Sequence, residues 1–298
     1  MTTYSSPDFW PEVADLQHSP VRLNFQERDY LGHLVTPSSA HDSRPLVMVV
    51  HNFQGLKDFD VHVAEYLARL GYAGFAIDLY GDRVAPEHRL WSADPRVWEQ
   101  NVKMAFTAMV ELEADRRYFR SLMKAWLDEG LRQNGVDRTI KPAAIGYCLG
   151  GEAVLEAVRG GLNLAGVVSF HGLLQTGEGA GPENIGVKRP PSIPCEDNHN
   201  RNTIVQIENG ANDHLVTLDN RQRFFEEMDR AGVDWIFNDY ATAPHGFALP
   251  TTLGAPGHLH ETADRRSTLA MLNLFREIFP TVQQATVPFN ASGTSIPG

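Results

Sequence analysis

Cys148 lies at the centre of Gly146-Tyr147-Cys148-Leu149-Gly150. A short apolar run, Ala143–Ile145, precedes it, and Val154, Leu155 and Val158 follow at helical spacing. A strand that turns sharply into a helix holds its central residue in a strained backbone conformation, with the side chain standing clear of the sheet. Small residues two before and two after it let strand and helix approach without a clash. The thiol then sits at a helix N-terminus, whose partial positive charge favours thiolate over thiol. The N–H of Leu149 faces the same way and can help stabilise an oxyanion. With 2 cysteines and 25 glycines in the chain, chance supplies roughly 0.01 such pentapeptides. The competing reading, a buried inert cysteine beside a Gly-rich turn, is weakened by the strand before and the helix after.

A cysteine nucleophile needs a base, and the base needs an orienter. Asp213 closes the turn Asn209-Gly210-Ala211-Asn212-Asp213 just after one apolar run, and His245 lies in Pro244-His245-Gly246 after the next. Nucleophile, acid, histidine is a known chain order for a strand–turn–helix nucleophile, and open α/β sheets place their sites at strand C-terminal ends. His245 would hold the thiolate as an ion pair and later protonate the leaving group, while Asp213 would fix its tautomer. Singly, Asp213 reads equally well as a turn former or helix N-cap, and His245 as an ordinary loop histidine. The three in order, each at a strand end, favour catalysis. The N–H of Phe53, in the loop after an earlier strand, is the expected second oxyanion donor. His258 and His260 are not expected to hold a metal, and His171 is expected to be a hydrogen-bonded loop residue.

The elements that must position these groups alternate along the chain. Val21–Gln26 and Tyr30–Val35 suggest a leading antiparallel pair. The continuous apolar runs at 45–50, 73–79, 143–145, 164–170, 203–207 and 233–237 read as strands buried on both faces. Helices are expected over Phe59–Leu70, over a long segment carrying Trp98, Val102, Ala105, Met109 and Leu112, after the Cys148 turn, over Leu218–Ala231, and over Ala263–Phe279 with Leu269, Leu272, Phe275 and Ile278 on one face. The fold class is therefore α/β, a mostly parallel central sheet with helices on both faces. With no repeat and no shift in composition, residues 1–298 read as one domain. Residues 1–20 form an N-terminal arm, 175–202 a long insert loop and 281–298 a C-terminal tail.

Composition narrows the function further. The formal net charge of -11, with no basic cluster to offset it, argues against nucleic acid or anionic membranes as partners. No stretch approaches the length of a membrane-spanning helix, and no secretory signal is visible. Asn290-Ala291-Ser292 fits a glycosylation sequon, which without a signal reads as chance. Two cysteines, Cys148 and Cys195, make no disulfide framework and fit a reducing, cytoplasmic compartment.

The chain resembles the dienelactone hydrolase family, within the α/β-hydrolases, over roughly residues 45 to 280. The resemblance rests on the His51–Leu56 loop, Gly71-Tyr72 with Asp78-Leu79-Tyr80-Gly81, and Gly146-Tyr147-Cys148-Leu149-Gly150-Gly151. It continues in His171-Gly172-Leu173-Leu174, Asp213, His245-Gly246-Phe247 and Ala263-Asp264-Arg265-Arg266-Ser267 with Ala270-Met271-Leu272. It implies a Cys148–Asp213–His245 triad, no cofactor, and hydrolysis of an ester or lactone through an acyl-enzyme. It also implies contact of substrate with Asn52, Gln54, Tyr147, Phe247 and Leu249. Three departures stand out. Asn52 occupies a position where the family usually has glutamate, and Leu249 one where the better-known dienelactone enzymes have an arginine for the substrate carboxylate. Arg83, Arg89 and Arg96 are the candidates to replace that cation. The segments 175–202 and 250–257 look longer than usual. A thioesterase on the same triad, or a non-catalytic thiol sensor on the same fold, are the alternatives. A monomer and a homodimer are equally compatible with the sequence.

Overall fold

The structure is a computed structural model and describes residues 16–38, 43–179, 181–250 and 258–282. Five segments of five to seven residues, four of them largely apolar, become the middle of one eight-stranded sheet because each is buried on both faces. They are β3 (Leu46–Val50), β4 (Ala73–Ile77), β5 (Ala143–Tyr147), β6 (Gly166–Phe170) and β7 (Ile204–Gly210). The edges are β1 (Leu16–Phe25), with β2 (Arg28–Pro37) inside it, and β8 (Trp235–Tyr240). Strand order is β1-β2-β4-β3-β5-β6-β7-β8, antiparallel at β1/β2 and β2/β4 and parallel elsewhere.

Two hydrophobic cores flank the sheet. On one face α1 (Asp58–Arg69) and α6 (Glu261–Ile278) bury Val63, Leu67, Met271 and Phe275 against Val47, Val49 and Ile145. On the other, α2 (Pro95–Ala114), α3 (Arg116–Gly130), α4 (Leu149–Arg159) and α5 (Leu218–Ala231) bury Met109, Trp126, Val154 and Phe224. Gly71 ends α1 with φ of 96°, a conformation that a side chain would strain.

Four details differ from the sequence-based expectation. Strand β1 reaches back to Leu16, so Leu16–Pro20, expected in the arm, pair with 33–37; Pro20 is tolerated because β1 is an edge. Residues 1–15 and most of the tail lie outside the described residues, as do 251–257. Helix α3 was not expected. Asp115 ends α2 and starts α3, its carboxylate accepting the N–H of Tyr118 at 3.0 Å. Leu269 is 41% exposed, and the buried stripe of α6 keeps Leu272 and Phe275 from the expected face and adds Met271 and Leu274. Trp98 is only half-buried, because the inward face of α2 begins near Ala105.

The insert 175–202 has little regular structure beyond a helical turn at Pro182–Ile185, yet it is fastened. Arg120 donates to Glu156 and Asp197 at 2.6 Å each and to the Glu196 carbonyl at 3.0 Å. Arg159 binds Glu156 at 3.1 Å, both oxygens of Glu227 at 2.7 and 2.8 Å, and the Leu174 carbonyl at 2.7 Å. The hydroxyl of Thr176 donates to Glu156 at 2.5 Å. The segment is a strap bound to α3, α4 and α5.

Candidate active site

The turn between β5 and α4 is as tight as its glycines require. A Cβ on Gly146 would stand 2.0 Å from the Gly150 carbonyl oxygen, and one on Gly150 would stand 2.1 Å from that of Val50. Cys148 takes φ 55°, ψ -111° at the N-terminus of α4, and its N–H donates to the Phe170 carbonyl at 3.0 Å. Such a conformation costs on the order of 1–3 kcal/mol and persists only where the surroundings enforce it. The residue is 8% exposed, so its sulfur is nearly enclosed.

Asp213 and His245 arrive from the ends of β7 and β8. The turn that carries Asp213 is pinned to the segment after β8: Ala211 N–H donates to the Tyr240 carbonyl at 2.8 Å and Asn212 N–H to that of Ala243 at 3.0 Å. Gly210 is needed there, since a Cβ would lie 2.4 Å from the Ala243 oxygen. Asp213 Oδ1 accepts the N–H of Leu215 at 2.9 Å, and Oδ2 lies 2.8 Å from His245 Nδ1. An ionised carboxylate only accepts, so Nδ1 carries the proton and Nε2 faces the sulfur of Cys148 at 3.1 Å. Burial opposes a charge on His245. The Cys148 thiolate, the hydrogen bonds to Asp213 and Cys148, and the Asp213 charge outweigh it and push the imidazole up to about 10. The three side chains therefore form one continuous hydrogen-bonded chain.

His171 is a hydrogen-bonded loop residue through its backbone and not through its ring. It takes φ 39°, its N–H donates to the Glu208 carbonyl at 2.8 Å, and both ring nitrogens are buried without a partner. Burial, then the nearby His245, hold it well below the usual histidine range, so a neutral ring stands edge-on to His245 at 5.4 Å.

Across the site, the loop after β3 fixes its own backbone. The Asn52 carbonyl accepts His51 Nδ1 at 2.6 Å and Gly55 N–H at 3.1 Å, and the Phe53 carbonyl accepts the Tyr80 hydroxyl at 2.6 Å. In a trans peptide the N–H points opposite to the carbonyl of the preceding residue, so the N–H of Phe53 is turned away from the bonds made by the Asn52 carbonyl. Leu149, as the first residue of α4, presents one of the helix's unpaired N–H groups.

The expected substrate contacts divide. Asn52 and Gln54 belong to this loop, with Asn52 Oδ1 accepting Gln54 N–H at 3.0 Å. Tyr147, Phe247 and Leu249 instead lie within the core on the α1/α6 face. Tyr147 stacks on Phe170 at 4.9 Å and meets Phe59 edge-on, while Phe247 packs against His171 and Tyr240. They support the site from beneath. Phe106, which stacks on Phe53 at 4.9 Å, and Lys57 were not anticipated. Nor do the arginines expected to replace the missing cation serve that end. Arg89 is buried against Asp78 at 3.0 Å, Arg83 pairs with Glu111 at 3.3 Å, and Arg96 is exposed beside Asp94.

Among the described residues, Asp197, His199 and Glu227 stand close enough together to hold a cation. Arg120 already binds Asp197 at 2.6 Å and Arg159 binds Glu227 at 2.7 Å, so the carboxylates are neutralised and the cluster is an ion-pair network. His260 caps α6, with Ala263 N–H donating to Nδ1 at 3.2 Å.

Glu208, on β7 close to the Asp213 turn, is buried and accepts from Gln206, Asn238 and the Tyr240 hydroxyl. Burial outweighs those bonds and raises its carboxyl to about 7. Because the folded value lies above the unfolded one, the cost of ionising it is absent below about pH 4.5 and fully developed above about pH 7. Glu208→Gln is expected to gain about 3 kcal/mol of stability over the native chain at pH 8 and nothing at pH 4.5. Urea unfolding at the two pH values checks this, and an equal difference at both would contradict it.

Comparison with known proteins agrees with the architecture. The profile of the dienelactone hydrolase family matches residues 31–279. A carboxymethylenebutenolidase of Pseudomonas sp. (strain P51) is 26% identical over 254 residues, which is 83% of this chain and 90% of that protein. Among solved structures, m3DLH is 30% identical with a TM-score of 0.69, covering 89% of this chain and 99% of its own. A dienelactone hydrolase-like promiscuous phosphotriesterase from metagenomic libraries is 29% identical with the same TM-score, covering 88% and 98%. A match of that extent, on a mostly parallel eight-stranded sheet with helices on both faces, makes this chain a hydrolase of the dienelactone hydrolase family with an α/β-hydrolase fold.

Proposed function

We propose that the chain hydrolyses neutral lactones or small carboxylic esters with Cys148 as nucleophile. The observation that supports this most directly is the unbroken sequence Asp213 Oδ2, His245 Nδ1, His245 Nε2, Cys148 Sγ at 2.8 and 3.1 Å. The thiolate attacks the carbonyl carbon, and the oxyanion is met by the N–H groups of Leu149 and Phe53. The carbon–oxygen bond to the leaving alkoxide breaks as His245 gives it a proton, leaving a thioester on Cys148. His245 then takes a proton from water, hydroxide attacks the thioester, and the acid departs as the thiolate re-forms. The lack of an arginine at position 249 and the engagement of Arg83, Arg89 and Arg96 elsewhere favour uncharged substrates. One sheet positions all three groups, which supports a single-domain reading, and two free cysteines support a reducing, cytoplasmic setting.

The imidazolium is needed both to pair with the thiolate and to protonate the leaving group. Since its pKa is raised to about 10, activity against p-nitrophenyl acetate should persist through neutral pH and fall as pH passes through about 10. A pH–rate profile with its alkaline limb near 6.5–7, the ordinary histidine range, would contradict the ion pair. Intact-mass measurement during turnover should show one acetyl group on Cys148. Reversible oxidation of Cys148 with no acetyl adduct would favour the thiol-sensing alternative.

A further inference from the structure

His51 follows directly on β3, is wholly buried, and has no part in the proposed mechanism. Both of its ring nitrogens are engaged, and their roles are fixed. The N–H of Leu79 donates to Nε2 at 3.0 Å, so Nε2 carries the lone pair. Nδ1 therefore carries the proton, which it donates to the Asn52 carbonyl at 2.6 Å. Asp78 Oδ1 stands 3.8 Å from Nε2, beyond hydrogen-bonding reach, and is taken up by the Tyr80 N–H at 2.9 Å. Burial holds the imidazole well below the usual histidine range; the bond to Asn52 opposes this, and the charges of Arg89 and Lys57 add to it. The ring is thus neutral, in one tautomer, through the neutral pH range.

That proton lands on one end of the peptide whose other end is the Phe53 N–H. The Asn52 carbonyl takes both His51 Nδ1 and, at 3.1 Å, the Gly55 N–H. Because the peptide is planar, fixing its oxygen fixes the direction of its hydrogen. A carbonyl that accepts hydrogen bonds also polarises its peptide and strengthens the N–H as a donor. The next peptide is held in the same manner. The Tyr80 hydroxyl donates to the Phe53 carbonyl at 2.6 Å, and the Gln54 N–H donates to Asn52 Oδ1 at 3.0 Å. That oxygen also accepts the buried Lys57 ammonium at 3.0 Å, with Asp60 Oδ2 3.8 Å from the same nitrogen. Leu79 and Tyr80 lie just beyond β4, the parallel neighbour of β3, and the rings of His51 and Tyr80 have their centres 4.9 Å apart. Asp78 secures that strand end by accepting the Gly81 N–H and the Arg89 guanidinium, each at 3.0 Å. Register sets the held segment beside the nucleophile: Val50 pairs with Gly146, so residues 52–53 come level with 148–149.

We propose that His51 is a positioning residue of the oxyanion hole: its Nδ1–H, committed to that tautomer by the Leu79 N–H, holds the Asn52–Phe53 peptide with the Phe53 N–H facing the oxygen on which charge develops. Tyr80 is its companion on the following peptide. This rests on the reading of the Phe53 N–H as an oxyanion donor and deepens it by naming what aims that donor. Leu149 needs no such help, since the start of α4 aims its N–H. A loop N–H has no helix to orient it, and His51 supplies the frame. Enclosed and bonded only to backbone, His51 acts when charge builds on the substrate oxygen, not on substrate binding or on the thiolate.

The test separates steps that build an oxyanion from one that does not. Losing an oxyanion donor outright costs about 10²–10³ in kcat, so misaiming one in His51→Leu is expected to lower kcat on p-nitrophenyl acetate roughly 30-fold, with KM within about twofold. His51→Asn, whose amide N–H can stand where Nδ1–H stood, should return kcat to within roughly threefold of native. Iodoacetamide loses iodide from a saturated carbon and forms no oxyanion, so alkylation of Cys148, read in a Cys195→Ser background, should keep its native rate in His51→Leu. With 1,1,1-trifluoroacetone the sulfur adds to the carbonyl carbon and the carbonyl electron pair moves to oxygen, so inhibition should weaken by the same factor as kcat/KM. Equal losses in turnover and alkylation would make His51 a general structural residue and overturn the proposal. Native turnover in a His51→Leu chain shown folded by circular dichroism, or no recovery in His51→Asn, would overturn it too. Should His51→Leu not fold, Tyr80→Phe removes one hydroxyl only and is expected to lower kcat roughly fivefold with alkylation unchanged; a native kcat there would defeat the account of the held peptides. Phe53→Pro deletes the N–H itself. Native turnover in that variant would defeat the donor reading, whereas native turnover in His51→Leu alone would defeat only the role given to His51.

Discussion

Cys148→Ala is expected to lower turnover of an activated ester by about 10³-fold or more, with the folded chain intact. Removing the nucleophile of a triad abolishes the covalent route and leaves only the background from oriented donors. The substitution deletes one nearly enclosed atom and leaves the strained turn to an alanine that tolerates it no worse than cysteine does. The thiolate is also the largest influence holding His245 charged, so the imidazole should become easier to deprotonate in the variant. Steady-state rates against p-nitrophenyl acetate, together with the proton-exchange signature of His245 by NMR, would read both effects. A turnover within tenfold of the native chain would place the chemistry on some other residue.

Arg159→Met should have the largest effect on stability. Its guanidinium is enclosed and binds Glu156, Glu227 and the Leu174 carbonyl, so methionine fills much of the volume but abandons two carboxylates. Glu156 is fully buried and would retain Arg120 and Thr176 only. Breaking such a pair from one side costs about 3–5 kcal/mol, chiefly through the charge left uncompensated. For a chain of this size that corresponds to a melting temperature lower by roughly 10 °C. The insert should loosen at its start, since the Leu174 carbonyl loses its donor and Thr176 is anchored on the Glu156 carboxylate that Arg159 helped to hold. Calorimetry with limited proteolysis of 175–202 would measure both. A melting change under about 2 °C would show that the network contributes little.

What the sequence disclosed and what it concealed follow from physical causes. The elbow around Cys148 was legible because the turn demands glycine at two fixed offsets, and the buried strands because they are apolar on both faces. The pairing of Asp213 and His245 with Cys148 could be inferred from their places at strand ends, and the structure brings the three together. Helix α3 was legible too: Phe119, Leu122, Met123, Trp126 and Leu127 recur at steps of three, one, three and one. It was passed over because Asp115 both ends one helix and begins the next without a loop. The start of β1 was obscured by Ser19-Pro20, which breaks the alternation. That Tyr147, Phe247 and Leu249 pack into the core was hidden for a different reason. Nearness to the triad along the chain says nothing of direction, and successive residues leave a strand on opposite sides. Lys57 could not have been found by composition, since lysine is almost never buried without a partner and that partner is supplied by the fold.

The placement of the triad on the sheet has a further consequence. Three strand intervals separate β5 from β8, about 14 Å at the usual spacing, yet a single imidazole bridges the sulfur and the carboxylate because the loops after β7 and β8 fold inward. The imidazole comes from the loop after β8, which pairs with no further strand on its outer side among the described residues, while Trp126 lies on the far half of the sheet with its indole N–H on the Asp78 carbonyl at 2.7 Å. Fraying at that margin separates the reacting groups before it disturbs the indole. Catalytic competence is thus a local gauge of the border that carries β8, whereas the surroundings of Trp126 report the opposite side.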